Sequence, residues 1–171
     1  PIPVELLLKI DRLLAWPLPR VEIYGNSEAS TVDFGGIKLL RDIHLVKFES
    51  CIINIPSSVT RLGLRKSKNN TVTGVEGIER LLVLGKPLKQ TSFPRLTSLT
   101  WNNTRTTFED SPIPPANYSM LSSMDIYTSY IEDDFVFPTN LIRLNINWRP
   151  KAEVKFSLKH ITHLTSLQEL R

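Results

Sequence analysis

Four arginines, Arg20, Arg61, Arg80 and Arg143, each stand one residue ahead of a recurring apolar position. The planar donor fork of arginine fits carboxylates and phosphates bidentately, so a row of such forks suits an anionic partner. Arginine is also enriched at the energetic centres of interfaces. Cys51 and His44 are the residue types of a nucleophile and its base, but that role requires hydrogen-bond reach and a third, orienting group. With His44 at a strand start and Cys51 at an inward turn, Cys51 is expected to pack in the core. His160 and His163 could share a helix face, yet no cysteine or carboxylate motif completes a metal set, and an exposed pair is expected. The glycines are scattered, and none builds a phosphate-cradling loop. The expectation is therefore binding without catalysis, cofactor or metal.

What would bring those arginines together is the spacing of the apolar residues behind them. An apolar residue is followed by another three on and a third two after that. The copies are Leu18, Val21, Ile23; Ile43, Val46, Phe48; Val59, Leu62, Leu64; Ile78, Leu81, Val83; Leu96, Leu99, Trp101; Leu121, Met124, Ile126; and Leu141, Leu144, Ile146. An eighth opens with Leu167 and Leu170. Copies begin about every 16 to 26 residues, the period of a solenoid. Successive side chains of a strand alternate between faces, so the fourth and sixth positions pack inward while the fifth and seventh face out. One unit cannot bury its apolar side alone; stacked neighbours make a continuous core.

The second copy, Ile43 to Pro56, reads LxxLxLxxCxIxxIP and resembles the leucine-rich-repeat family. In that family the ninth position is Asn or Cys, and the first copy has Asn26 there. Ser67, Lys86, Thr104, Ser129 and Arg149 depart from it, implying a broken asparagine ladder and uneven curvature. Ile55-Pro56-Ser57-Ser58-Val59 and Phe137-Pro138-Thr139-Asn140-Leu141 are similar to the short FNIP-type variant, and such irregular repeats resemble those of lower eukaryotes. The resemblance covers residues 18–171 and implies an α/β solenoid, a horseshoe with a parallel concave β-sheet and a mostly irregular convex side. Connections rich in Pro, Asn, Ser and Thr agree with loops and short turns there. Ser157 to Thr165 is expected to form a final helical turn.

Leucine-rich-repeat proteins bind partners through variable concave strand residues. Here the resemblance assigns that surface to Tyr24, Lys47, Glu49, Arg65, Leu84, Asn102, Tyr127 and Asn147. Arg20, Arg61, Arg80 and Arg143 would rise beside it at about 4.7–4.9 Å per adjacent strand. The bland alternative pairs the arginines with Glu22, Glu49, Glu79 and Asp125. Leu82 and Leu84 break the alternation. They are either an exposed anchor for a partner or, the preferred reading, the sign of a shifted register with Val83 turned out.

Residues 3–15 carry an apolar stripe between Pro3 and Pro17 and predict a helix. Ile2 to Ile10 is similar to the opening of an F-box, LPxELLxxI, whose helix docks on the adaptor Skp1 in ubiquitin-ligase receptors. The preferred reading of residues 1–17 is a helix capping the first repeat, because the first strand begins too soon for a complete F-box. A chain that stops within a repeat is expected to be part of a longer array. The net charge is +4, with a basic stretch from Arg61 to Lys89. That stretch would suit an acidic partner or nucleic acid, the latter with steep salt dependence. One cysteine precludes an intrachain disulfide and favours an intracellular setting; sequons at Asn69, Asn102 and Asn117 point to secretion instead. The function expected is a protein-interaction module, with the ubiquitin-ligase receptor as alternative and nucleic-acid binding third.

Overall fold

The computed structural model describes residues 20–25, 31–67, 70–85, 92–103, 105–106, 119–148 and 157–171. The strands are β1 (Val21–Tyr24), β2 (Thr31–Asp33), β3 (Asp42–Val46), β4 (Ile52–Asn54), β5 (Arg61–Arg65), β6 (Thr71–Thr73) and β7 (Arg80–Leu84). They continue as β8 (Ser98–Asn102), β9 (Arg105–Thr106), β10 (Ser123–Thr128), β11 (Tyr130–Ile131), β12 (Arg143–Trp148) and β13 (Glu169–Leu170). The apolar spacing sets the main sheet, in the order β1-β3-β5-β7-β8-β10-β12-β13, with every pairing parallel. Val21, Ile43, Leu62, Leu81, Leu99, Met124, Leu144 and Leu170 align across it. All but Leu170 are buried, and with Ile23, Leu45, Leu64, Val83, Trp101 and Ile126 they form the spine of one core.

The chain is thus a parallel β-solenoid rather than the α/β horseshoe implied by the sequence. Among the described residues there is no α-helix; helical geometry is confined to 3-10 turns at 119–120 and Leu158–His160, the latter within the segment expected to form a helical turn. The return side of the repeats carries short strands instead, in the parallel sheets β2-β4-β6 and β9-β11. The reason is local. Thr31-Val32-Asp33, Ile52-Ile53-Asn54 and Thr71-Val72-Thr73 are triplets rich in β-branched residues that turn Val32, Ile53 and Val72 toward the core, with no 3.6-residue stripe.

Turns at both ends of each strand hold the stack in register. Before β3, β7, β8 and β13 a tight turn closes where an N–H donates three residues back, from Ile37 to Phe34, Ile78 to Val75, Leu96 to Phe93 and Leu167 to Leu164. Phe34 and Phe93, whose carbonyls accept two of these bonds, are fully buried, as is Phe137, which stacks edge-on against Phe135 at 5.1 Å. One carbonyl just ahead of each strand accepts two N–H groups from the next repeat. Arg41 O takes Thr60 N at 3.0 Å and Arg61 N at 3.1 Å, and Thr60 O takes Glu79 N and Arg80 N at 2.9 and 3.1 Å. After the strand the chain turns left-handed, at Lys47 (φ 61°), Lys66 (φ 52°) and Gly85 (φ 130°). Gly74 is the tightest contact of the return side: a Cβ there would lie 2.1 Å from Ile55 O, at φ 74°.

The second copy is out of the register read from its sequence. Ile43 pairs with Val21 and Leu45 with Ile23, so the unit is Leu40, Ile43, Leu45 rather than Ile43, Val46, Phe48. Packing explains the choice, because Leu40, Ile43 and Leu45 are all fully buried (0% exposed), and Phe48 finds its own buried place beyond the strand. Cys51 consequently does not occupy the ninth position. It precedes β4 as Asn70 precedes β6, and Asn70 Oδ1 accepts the Cys51 N–H at 3.0 Å.

Candidate binding face

With the register fixed, the outward face of the main sheet is a grid of side chains. Its third-position row runs Asp42, Arg61, Arg80, Ser98, Ser123, Arg143 and Glu169, with Arg20 just ahead of β1. The fifth-position row is Glu22, His44, Gly63, Leu82, Thr100, Asp125 and Asn145. The seventh is Tyr24, Val46, Arg65, Leu84, Asn102, Tyr127 and Asn147. Six of the residues expected on this surface therefore share one row, Tyr24, Arg65, Leu84, Asn102, Tyr127 and Asn147, with Val46 between the first two.

Lys47 and Glu49 do not belong to it. The corrected register puts Lys47 at the left-handed turn that ends β3, with its N–H donating to Arg65 O at 2.9 Å, and Glu49 beyond that turn. His44 and Val46 take the outward positions instead. Nor do Leu82 and Leu84 turn inward. Leu81 and Val83 are buried at 2% and 1% exposure while Leu82 and Leu84 are only half-buried, so β7 keeps the common register and presents two leucines outward.

The arginine row is interrupted. Asp42 stands between Arg20 and Arg61, and Ser98 and Ser123 between Arg80 and Arg143; only Arg61 and Arg80 are neighbours. Arg20 Nη2 lies 3.2 Å from His44 Nδ1, and Arg143 pairs with Glu169. Arg61, Arg65 and Arg80 make no side-chain hydrogen bond or ion pair with any residue among those described. The intramolecular pairing with Glu22, Glu49, Glu79 or Asp125 is absent for these three.

His44 is held at the edge of this patch. Its ring lies flat over Gly63, where an added Cβ would sit 2.4 Å from Nδ1, and glycine is what admits it. Nε2 lies 3.2 Å from Asp42 Oδ1 without the alignment of a hydrogen bond. Burial, reinforced by the cations Arg20 and Arg65, pushes its pKa below the ordinary histidine value; Asp42 and Glu22 only partly oppose them. A neutral ring agrees with Nδ1 receiving the Arg20 guanidinium. No Cys–His pair forms with it, since Cys51 is buried at the start of β4 with Sγ donating to Glu49 O at 3.2 Å.

The other histidines are structural. His160 is 2% exposed, not the surface residue expected; its Nε2 reaches Glu132 O at 3.0 Å. His163 Nε2 reaches Phe137 O at 2.9 Å, so the two pin one loop to the preceding repeat. No group of three potential metal ligands exists among the described residues. No described helix is long and apolar enough to cross a membrane. The F-box-like opening, the capping helix of residues 1–17 and the Skp1 contact lie outside the described residues, as do Asn26, Lys86, Lys89, Thr104, Arg149 and the sequons at Asn69 and Asn117.

No family model matches the chain, and no curated protein matches it. The sequence signals passed over were Leu40, whose spacing to Ile43 and Leu45 fits the unit as well as the frame chosen, and Asn70. Asn70 is 1% exposed and clasps two repeats, accepting from Cys51 N and donating to Phe48 O at 2.9 Å.

Proposed function

We propose that this chain is a non-catalytic binding module of leucine-rich-repeat type that receives a protein partner on the outward face of its main sheet. The observation that carries this reading is the centre of the grid, where Arg61, Arg65 and Arg80 have no side-chain hydrogen bond or ion pair with any described residue and flank the half-buried Leu82 and Leu84. Interfaces draw their energy from small clusters of this composition, arginine beside apolar anchors, within a more polar rim. Thr100, Asn102, Asp125 and Tyr127 supply such a rim on β8 and β10. The single cysteine, buried and without a disulfide, supports an intracellular setting.

The reading is checked by affinity purification from the native cell, with the intact protein and with a variant carrying Arg61→Glu, Arg80→Glu and Leu82→Ser. Partner recovery should fall at least about tenfold in that variant at an unchanged melting temperature. A control on the turn side, Glu76→Lys, should leave recovery intact. Equal recovery with all three proteins would contradict the proposal.

A further inference from the structure

The central grid has a charge and a geometry that select among protein partners. Third, fifth and seventh positions of β5, β7 and β8 read Arg61-Gly63-Arg65, Arg80-Leu82-Leu84 and Ser98-Thr100-Asn102. No carboxylate occurs among these nine positions. Asp42, the acid beside Arg61 in the row, is turned toward His44. Arg61 and Arg80 form one cationic edge of the patch and Arg65 the other, with the Leu82 side chain between them and Gly63 roofed by the His44 ring. Arg65 Nε is shut off from solvent and has no hydrogen-bond acceptor, so a ligand would meet the outer end of this guanidinium.

The distance between the two edges is that between residues four apart in a strand, about 13 Å. An extended ligand has the same rise per residue, and its residues i, i+2 and i+4 face one side. We propose that this patch binds an extended acidic segment of a protein partner, with an aliphatic residue flanked by carboxylates two residues to each side. The aliphatic side chain lies against Leu82 and Leu84, beside the His44 ring that covers Gly63. One carboxylate meets the Arg61–Arg80 pair and the other meets Arg65. Two adjacent guanidinium groups on one edge favour a fully ionised side chain there, and the leucines exclude water from both contacts. Leucines in the middle of the patch favour a peptide over nucleic acid, which would call for aromatic stacking platforms between the cations.

This inference rests on the outward face being the binding face, and a peptide assay separates the two. A short fluorescent peptide centred on Glu-Ser-Leu-Ser-Glu is titrated with the intact protein, beside versions centred on Lys-Ser-Leu-Ser-Lys and Glu-Ser-Ser-Ser-Glu, and beside a single-stranded oligouridine. The acidic leucine peptide should bind at least about tenfold more tightly than either altered peptide. Arg65→Gln, a single exposed-face change, should weaken it severalfold while leaving the melting temperature in place. Binding of oligouridine in preference to the peptide would overturn the inference in favour of a nucleic-acid surface. No discrimination among the three peptides would overturn the acidic-segment inference alone if partner recovery still depends on Arg61, Arg80 and Leu82. Loss of both dependences would remove the binding face itself.

Discussion

Trp101→Ala is expected to cost about 3–5 kcal/mol, the range for emptying a large aromatic site in a close-packed core. Trp101 is fully buried on the inward side of β8, and its ring lies 6.3 Å from Phe135, which itself stacks on Phe137. The hole would open between two repeats, where no single strand can collapse to fill it. Trp101→Phe provides the contrast. Trp101 Nε1 has no acceptor, so the smaller ring deletes an unsatisfied donor along with some contact area. Its cost should stay below that of alanine, at about 1–2 kcal/mol. Equal losses for the two variants in chemical denaturation would show that ring packing is not what Trp101 contributes.

Asn70→Asp should cost about 2–4 kcal/mol despite changing one atom, because it buries a charge and removes a donor. The asparagine amide accepts from Cys51 N at 3.0 Å and donates to Phe48 O at 2.9 Å, both across the boundary between two repeats. Aspartate keeps the acceptor but leaves Phe48 O without its partner. The loss should shrink at acid pH, where the carboxyl is protonated and can donate again. A denaturation midpoint as high as that of the intact protein at neutral pH would exclude the clasp.

The strands that build the sheet were legible in the sequence because burial has a period there. Val59-Leu62-Leu64 and Leu141-Leu144-Ile146 can satisfy a buried face in one frame only, whereas the run Leu81 to Leu84 admits two, and the structure takes the unshifted one. The second copy was not, since Leu40, Ile43, Leu45, Val46 and Phe48 are all apolar and two frames fit them equally well. Three-dimensional pairing with Val21 and Ile23 decides between them. That one displacement moved Lys47 and Glu49 off the outward face and brought His44 and Val46 onto it. The return side was misjudged for a different reason: short triplets rich in β-branched residues are too brief for alternation to show, and their pairing across repeats is non-local. At the binding face, residue types were legible and pairing was not. That Arg143 finds Glu169 while Arg61 and Arg80 find no partner among the described residues depends on which side chains are neighbours in the sheet.

Which side of β7 faces solvent decides whether Leu82 can touch a partner at all. Single replacements Leu82→Cys and Val83→Cys, with buried Cys51 as a silent internal thiol, would be followed by reaction with an aromatic disulfide reagent under native conditions. The thiol at position 82 should react promptly, and the one at position 83 only as fast as the protein unfolds. Prompt reaction at 83 with protection at 82 would invert the sheet and remove the arginine–leucine patch from the surface.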